Sequence, residues 1–234
     1  MHIPEGYLSP STCAALGAVM VPVWYKAGQM VKRTVDVAQI PFMAMAAVFS
    51  FLIMMFNVPI PDGTTAHAVG AVLIAITLGP WTATIAVSVA LFIQALIFGD
   101  GGVLAFGANA FNMALVMPFT GYYLYRLIAQ DSPLTSTRRL IAAGVAGYVA
   151  INLAALVASI EFGIQPLLFV GEDGLPLYGP YGLSIAVPAM MSAHLLVAGF
   201  VEAIVTAVAL KFVFKTSPEL VNVGVASEVR EELR

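Results

Sequence analysis

The chain has 234 residues, 60% of them hydrophobic and only 10% charged, with 13 Asp plus Glu against 10 Lys plus Arg and a mean hydropathy of +0.94. This composition excludes a soluble domain with an ordinary surface, and no nucleic-acid partner is expected. The single cysteine, Cys13, excludes an internal disulfide or a thiolate metal cluster.

Apolar stretches of the ~20 residues needed to cross a bilayer recur along nearly the whole length, without the ~10-residue alternation of a membrane barrel. The fold class read from this is an all-α membrane protein, a bundle of about seven transmembrane helices in contact with lipid. In chain order they run from Pro10 to Val31, bent at Pro22, then Val37 to Phe56, a short Thr65 to Leu78, and Trp81 to Ile97. Gly107 to Ile128, Arg139 to Phe162 and Pro188 to Phe214 complete the set. Residues 1–215 read as one membrane-embedded domain and 216–234 as a polar tail, whose EVREELR end is a solvated charged tail in preference to a short surface helix. Ala14-x-x-x-Ala18 and Ala46-x-x-x-Ser50 permit close helix approach, and the methionines read mostly as lipid-facing or gap-filling residues.

With seven crossings, Lys26, Lys32, Arg33, Arg126, Arg138, Arg139, Lys211, Lys215, Arg230 and Arg234 all fall on one side, which the positive-inside bias makes cytoplasmic. Glu5, Asp62, Asp100, Glu161, Glu172 and Asp173 fall on the other. The N-terminus is therefore expected outside and the C-terminus in the cytoplasm.

The opening MHIPEGYLSP lacks the charged region of a removable signal, so Met1 is expected to be the mature end. The α-amine of Met1, the amide nitrogen of His2 and His2 Nδ1 can close two fused chelate rings on one metal ion, leaving one in-plane position. Four nitrogens in a plane suit Ni(II) or Cu(II). The amine titrates near ~8 and imidazole near ~6.5. The amide proton leaves only if the metal compensates, which Zn(II), with no geometric preference of its own, does poorly. Binding is expected to expel protons from the amine, the amide and His2.

Two further histidines exist. His67, at the outer start of the third helix with Thr64 or Thr65 as its cap, is either the fourth ligand or an interfacial histidine. His194, one to two turns inside a helix opened by Pro188, either makes a structural hydrogen bond or supports the metal site from behind the ligands. Glu202, about two turns further on, must be protonated or bonded by neighbours such as Gln94, Asn109 or Asn112. Asn109 and Asn112 share a helix face and read either as interhelical hydrogen-bonding groups or as orienters of His67 and the N-terminal segment. No phosphate-binding loop, nucleophile with a base, or zinc-protease motif occurs, so this chain is not expected to be an enzyme or to supply an ATPase.

Four separated segments, MHIPEGYLSP, PDGTTAHAVGAVLIAITLGPW, GANAFNMALVMPFTGYY and HLLVAGFVEAIVTA, together resemble the NikM/CbiM family, the substrate-binding subunits of energy-coupling-factor transporters for nickel or cobalt. The resemblance implies a seven-helix fold with the metal held in a plane by Met1 N, His2 N, His2 Nδ1 and the imidazole of His67. It also implies separate partners: a transmembrane coupling subunit, two ATPase subunits and a small auxiliary membrane subunit. The IPEGYLSP continuation resembles the nickel-type start, so Ni(II) is the expected transported substrate, with Co(II) the alternative. Asp100 stands where many relatives carry His, which leaves the role of its loop open. A self-sufficient secondary transporter, with His194 and Glu202 on a proton path, is the competing function, but no inverted repeat or continuous polar stripe supports it. An intramembrane hydrolase is disfavoured because a planar site leaves no in-plane position for activated water.

Overall fold

The computed structural model describes residues 1–61, 63–134 and 136–217. Asp62 and nearly all of the expected polar tail lie outside the described residues.

Helix α1 (Pro10–Thr34) starts where Ser9 accepts a hydrogen bond from the Thr12 amide and Pro10 supplies a pre-set first residue, and it ends with Lys32 and Arg33 against its negative dipole end. A short 3₁₀ turn at Val37–Gln39 leads into α2 (Ile40–Met54). Strands β1 (Val58–Pro59) and β2 (Thr65–Ala66) pair antiparallel before α3 (Ala71–Leu78). After α4 (Pro80–Ile93) the helix continues as a π turn, Gln94–Phe98. Helices α5 (Phe106–Ala110) and α6 (Met117–Ala129) form one rod through a π turn at Phe111–Val116. Helix α7 (Thr137–Gly163), capped by Ser136, is followed by the single turn α8 (Gln165–Leu168). The last rod joins α9 (Leu183–Ala193) to α10 (Gly199–Thr216) through a π turn at His194–Ala198. Seven helical rods result among the described residues, and four of them, 37–54, 80–98, 137–168 and 183–216, are long and apolar enough to cross a membrane. The chain is a multi-pass membrane protein.

Small residues set the packing. A Cβ on Gly107 would lie 2.6 Å from the Gly17 Cα, so α1 and α5 touch backbone to backbone. Helix α7 buries a face of Ala142, Ala143, Ala146, Ala150, Ala154 and Ala158 against its neighbours. Of the two small-residue pairs in the sequence, Ala46 and Ser50 are buried, whereas Ala14 and Ala18 face outward.

Two expected helices are corrected. The third does not begin at Thr65: Thr65–Ala66 is strand, residues 67–70 are irregular, and Gly70 adopts φ +73° where a Cβ would lie 2.4 Å from the Phe49 ring. The remaining eight residues give a helix of about 12 Å, less than half the ~30 Å of a bilayer core. Irregular backbone at that depth must find partners within the protein. Glu202 accepts from Val69 N at 2.8 Å and Gly70 N at 3.0 Å, and Ser50 Oγ donates to Val69 O at 2.8 Å. Pro188, expected to open the last helix, instead lies inside α9, which starts at Leu183.

Candidate metal centre

Residues 1–9 fold back into the bundle and are tied there by amide side chains. Asn109 Oδ1 accepts from Ile3 N at 2.8 Å and its Nδ2 donates to Ile3 O at 3.2 Å, so one side chain satisfies both backbone groups of a buried residue. Gln165 Oε1 accepts from Ser9 N at 3.1 Å. Gly102 N donates to Ile3 O at 2.9 Å from the opposite side. Met1 and Ile3 are fully buried, and the Met1 ammonium donates to Thr65 Oγ1 at 3.3 Å.

This docking puts His2, 3% exposed, against His67, 2% exposed. His2 Nδ1 and His67 Nε2 are 2.9 Å apart, with ring centroids at 4.6 Å and planes 31° apart. The other nitrogen of each ring is already engaged. Gln94 donates through Nε2 to Phe51 O at 3.3 Å, which turns its Oε1 toward His2 Nε2 at 3.2 Å. His67 Nδ1 stands 3.1 Å from Ala68 O. A carbonyl oxygen only accepts, so the network assigns the proton of His2 to Nε2 and that of His67 to Nδ1. The two nitrogens that face each other then both carry lone pairs. Asp100 Oδ1 approaches the same His2 Nδ1 at 3.4 Å.

Burial, reinforced by the nearby ammonium, pushes the His2 imidazole down to about 3 against the pull of Gln94, so at neutral pH it is uncharged and its approach to Asp100 is not an ion pair. Burial raises the Asp100 carboxyl, and the ammonium opposes that rise. The centre is three electron-rich atoms converging on one spot beside a cationic amine.

Each residue singled out in the sequence has a definite place. Met1, His2, His67, Thr65 and Asn109 come together. Thr64 is buried beside Met190, its Oγ1 4.0 Å from the sulfur. Asn112 donates to Glu161 Oε2 at 2.7 Å, linking helices and not reaching the N-terminal segment. Glu161 lies near the end of α7, inside the helix expected there. His194 is fully buried, its Nδ1 2.8 Å from Met190 O on its own helix, and its Nε2 has no hydrogen-bond partner among the described residues. Glu202 bonds the backbone before α3 and none of Gln94, Asn109 or Asn112, because the irregular segment exposes two amides that a helix would have consumed. Gln94 was expected only as a partner for Glu202. Its position as the lone amide in an otherwise apolar span was the signal for a different task.

Residues 2–220 match the family described as "Cobalt uptake substrate-specific transmembrane region", CbiM. The chain belongs to the CbiM family. Among CbiM relatives it is 52% identical over 220 residues to the fused nickel transport protein NikMN of Rhodobacter capsulatus, covering 94% of this chain and 63% of that protein. It is 51% identical over 220 residues to the probable fused nickel transport protein LarMN of Lactiplantibacillus plantarum, covering 93% and 66%. The chain thus spans less than two thirds of the length of either fused protein. A crystal structure of a transition metal transporter superposes with a TM-score of 0.88 at 54% identity, covering 98% of this chain and all of that one. The family description names cobalt uptake, and the two fused relatives are named for nickel transport.

Proposed function

We propose that this protein captures Ni(II), holding it in a plane of four nitrogens: the Met1 amine, the His2 amide nitrogen, His2 Nδ1 and His67 Nε2. The observation that carries the reading is the 2.9 Å between two imidazole nitrogens whose protons are committed elsewhere. With metal–imidazole bonds of about 2.0–2.1 Å, ligands at a right angle stand about 2.8–3.0 Å apart, so the two nitrogens already have the spacing of neighbours on one ion. A cation bound between them would turn two opposed lone pairs into two metal bonds at that same spacing.

The substrate is Ni(II) in preference to Co(II), because a deprotonated amide in a plane suits the ion with the stronger preference for planar four-coordination, and the fused relatives named above are nickel transport proteins. Asn109, Thr65 and Gln94 position the ligands. The centre lies at the ends of the rods away from Lys26, which stands over Trp81 at the start of α4, and from Arg139, which bonds Tyr125 at the end of α6. The positive-inside bias then puts the centre and N-terminus outside and the end of α10 in the cytoplasm. Inward delivery is driven by partners: a transmembrane coupling subunit, two ATPase subunits and a small auxiliary membrane subunit. The chain's own task is binding, with no catalytic step.

The experiment is nickel titration of protein with a native or a one-residue-extended N-terminus, each with and without His67→Ala. Extension converts the Met1 amine to an amide and displaces His2, so tight binding that depends on His67 should vanish. Unchanged affinity with an unchanged need for His67 would exclude the amine as a ligand and overturn the proposal.

A further inference from the structure

The nitrogen donors of the proposed plane leave a charge to be accounted for, and this inference rests on that reading. A divalent ion bound to one deprotonated amide and otherwise neutral nitrogens carries a net +1. Without metal the centre also carries +1, on the Met1 ammonium that donates to Thr65 Oγ1. Either charge sits among groups that are almost wholly buried, where an uncompensated ion costs several kcal/mol. Asp100 is the carboxylate whose oxygen touches this cluster, 3.4 Å from His2 Nδ1.

The loop that carries it is fixed from three directions. Asp100 N donates to Gln94 O at 3.1 Å, Gly102 N donates to Ile3 O, and Gly101, at φ +87°, packs so closely that a Cβ would lie 3.2 Å from His2 Cδ2. Asp100 is itself 21% exposed against 3% for His2, so it stands between solvent and the buried nitrogens. The geometry points to Asp100 as the capture residue of this centre, a carboxylate that draws the hydrated divalent cation to the mouth and balances its charge once it lies in the plane.

The test uses purified full-length protein with its native N-terminus and Ni(II) alone as probe, at low and high salt. Asp100→Asn keeps the shape and removes the charge. It should weaken nickel binding about 10–100-fold, slow association and flatten its salt dependence, while the spectrum of the planar centre at saturating nickel stays as in wild type. Asp100→Glu should bind close to wild type with the salt dependence retained. Asp100→Asn with wild-type affinity and salt response would overturn the inference alone. Equal losses in Asp100→Asn and Asp100→Glu would do the same, marking a purely structural side chain. Wild-type protein without nickel binding would instead overturn the planar centre, and this inference with it.

Discussion

Two polar regions are buried in this bundle, and they are built on opposite plans. At the mouth, Met1, His2, Gln94, Asp100 and Asn109 with His67 converge from four separate stretches of chain, and lone pairs face one another. Deeper, polar side chains are tied one at a time, Glu202 to the amides before α3, His194 through Nδ1 to a carbonyl of its own helix and Asn112 to Glu161, while His194 Nε2, Asn112 Oδ1 and Glu161 Oε1 have no hydrogen-bond partner among the described residues. A buried polar group bonded to backbone or to a single neighbour holds the fold. A set of acceptors from separate stretches of chain that converge on one spot is what the proposed nickel site rests on.

The sharpest way to break this contrast is His67→Ala. It removes a proposed ligand and a ring that is almost wholly buried, so nickel binding should fall below detection in calorimetry while circular dichroism still shows a folded helical bundle. Retained tight binding would mean that the opposed imidazoles are not a coordination pair.

Acid should discriminate next. Because His2 is already bare down to about pH 3, nickel displaces protons only from the amine and the amide, two and not the three expected from unperturbed groups. Affinity should then drop by about 100-fold for each pH unit between about 7 and 5, and nickel titrations across that range measure the slope. The depressed imidazole also bears on docking of the segment itself. Its folded pKa lies below the unfolded ~6.5, so the undocked chain binds more protons, and docking is fully favourable above 6.5 and weakens as pH falls toward 3. The protection factor of the Ile3 amide in the metal-free protein, the intrinsic exchange rate at each pH divided by the observed one, should fall over that interval and stay constant above it.

Asn109→Leu tests the frame that presents the ligands. Ile3 N loses its partner and Ile3 O keeps only Gly102 N, and nickel affinity should fall about 10–100-fold with the His67 requirement intact. The smallest effect on binding is expected from Asn112→Leu. It leaves Glu161 without its donor and should lower stability by about 1–3 kcal/mol, read as a fall in melting temperature, with nickel affinity close to wild type. A large loss of affinity there would erase the distinction between the two regions.

The mouth was readable in the sequence to the extent that covalent chemistry dictates it. Met1 and His2 are adjacent, so their chelate rings follow from connectivity, and Asn109 lies on a helix end that a polar face betrays. Gln94 and Asp100 were not assigned to it, since their meeting with His2 spans more than ninety residues and depends on how rods pack. The apolar lengths located six of the seven rods, with ends shifted by a few residues. The third failed because TTAHAVGAVL is apolar enough for either helix or buried strand, and periodicity does not separate the two in a short run. What decides it is Glu202, more than 130 residues away, offering a carboxylate to Val69 and Gly70. The three π turns likewise have no signature in residue type, yet one of them opens at Gln94 and another at His194.

The fold-back of residues 1–9 has a consequence for how the protein is made. These residues leave the ribosome before any of their partners exist: Ile3 waits for Asn109, and Ser9 waits for Gln165. Docking of the first nine residues therefore closes loops of more than a hundred residues at Ile3 and Ser9. The proposed centre can form only after synthesis has passed Asn109, and the Ser9 contact only after it has passed Gln165.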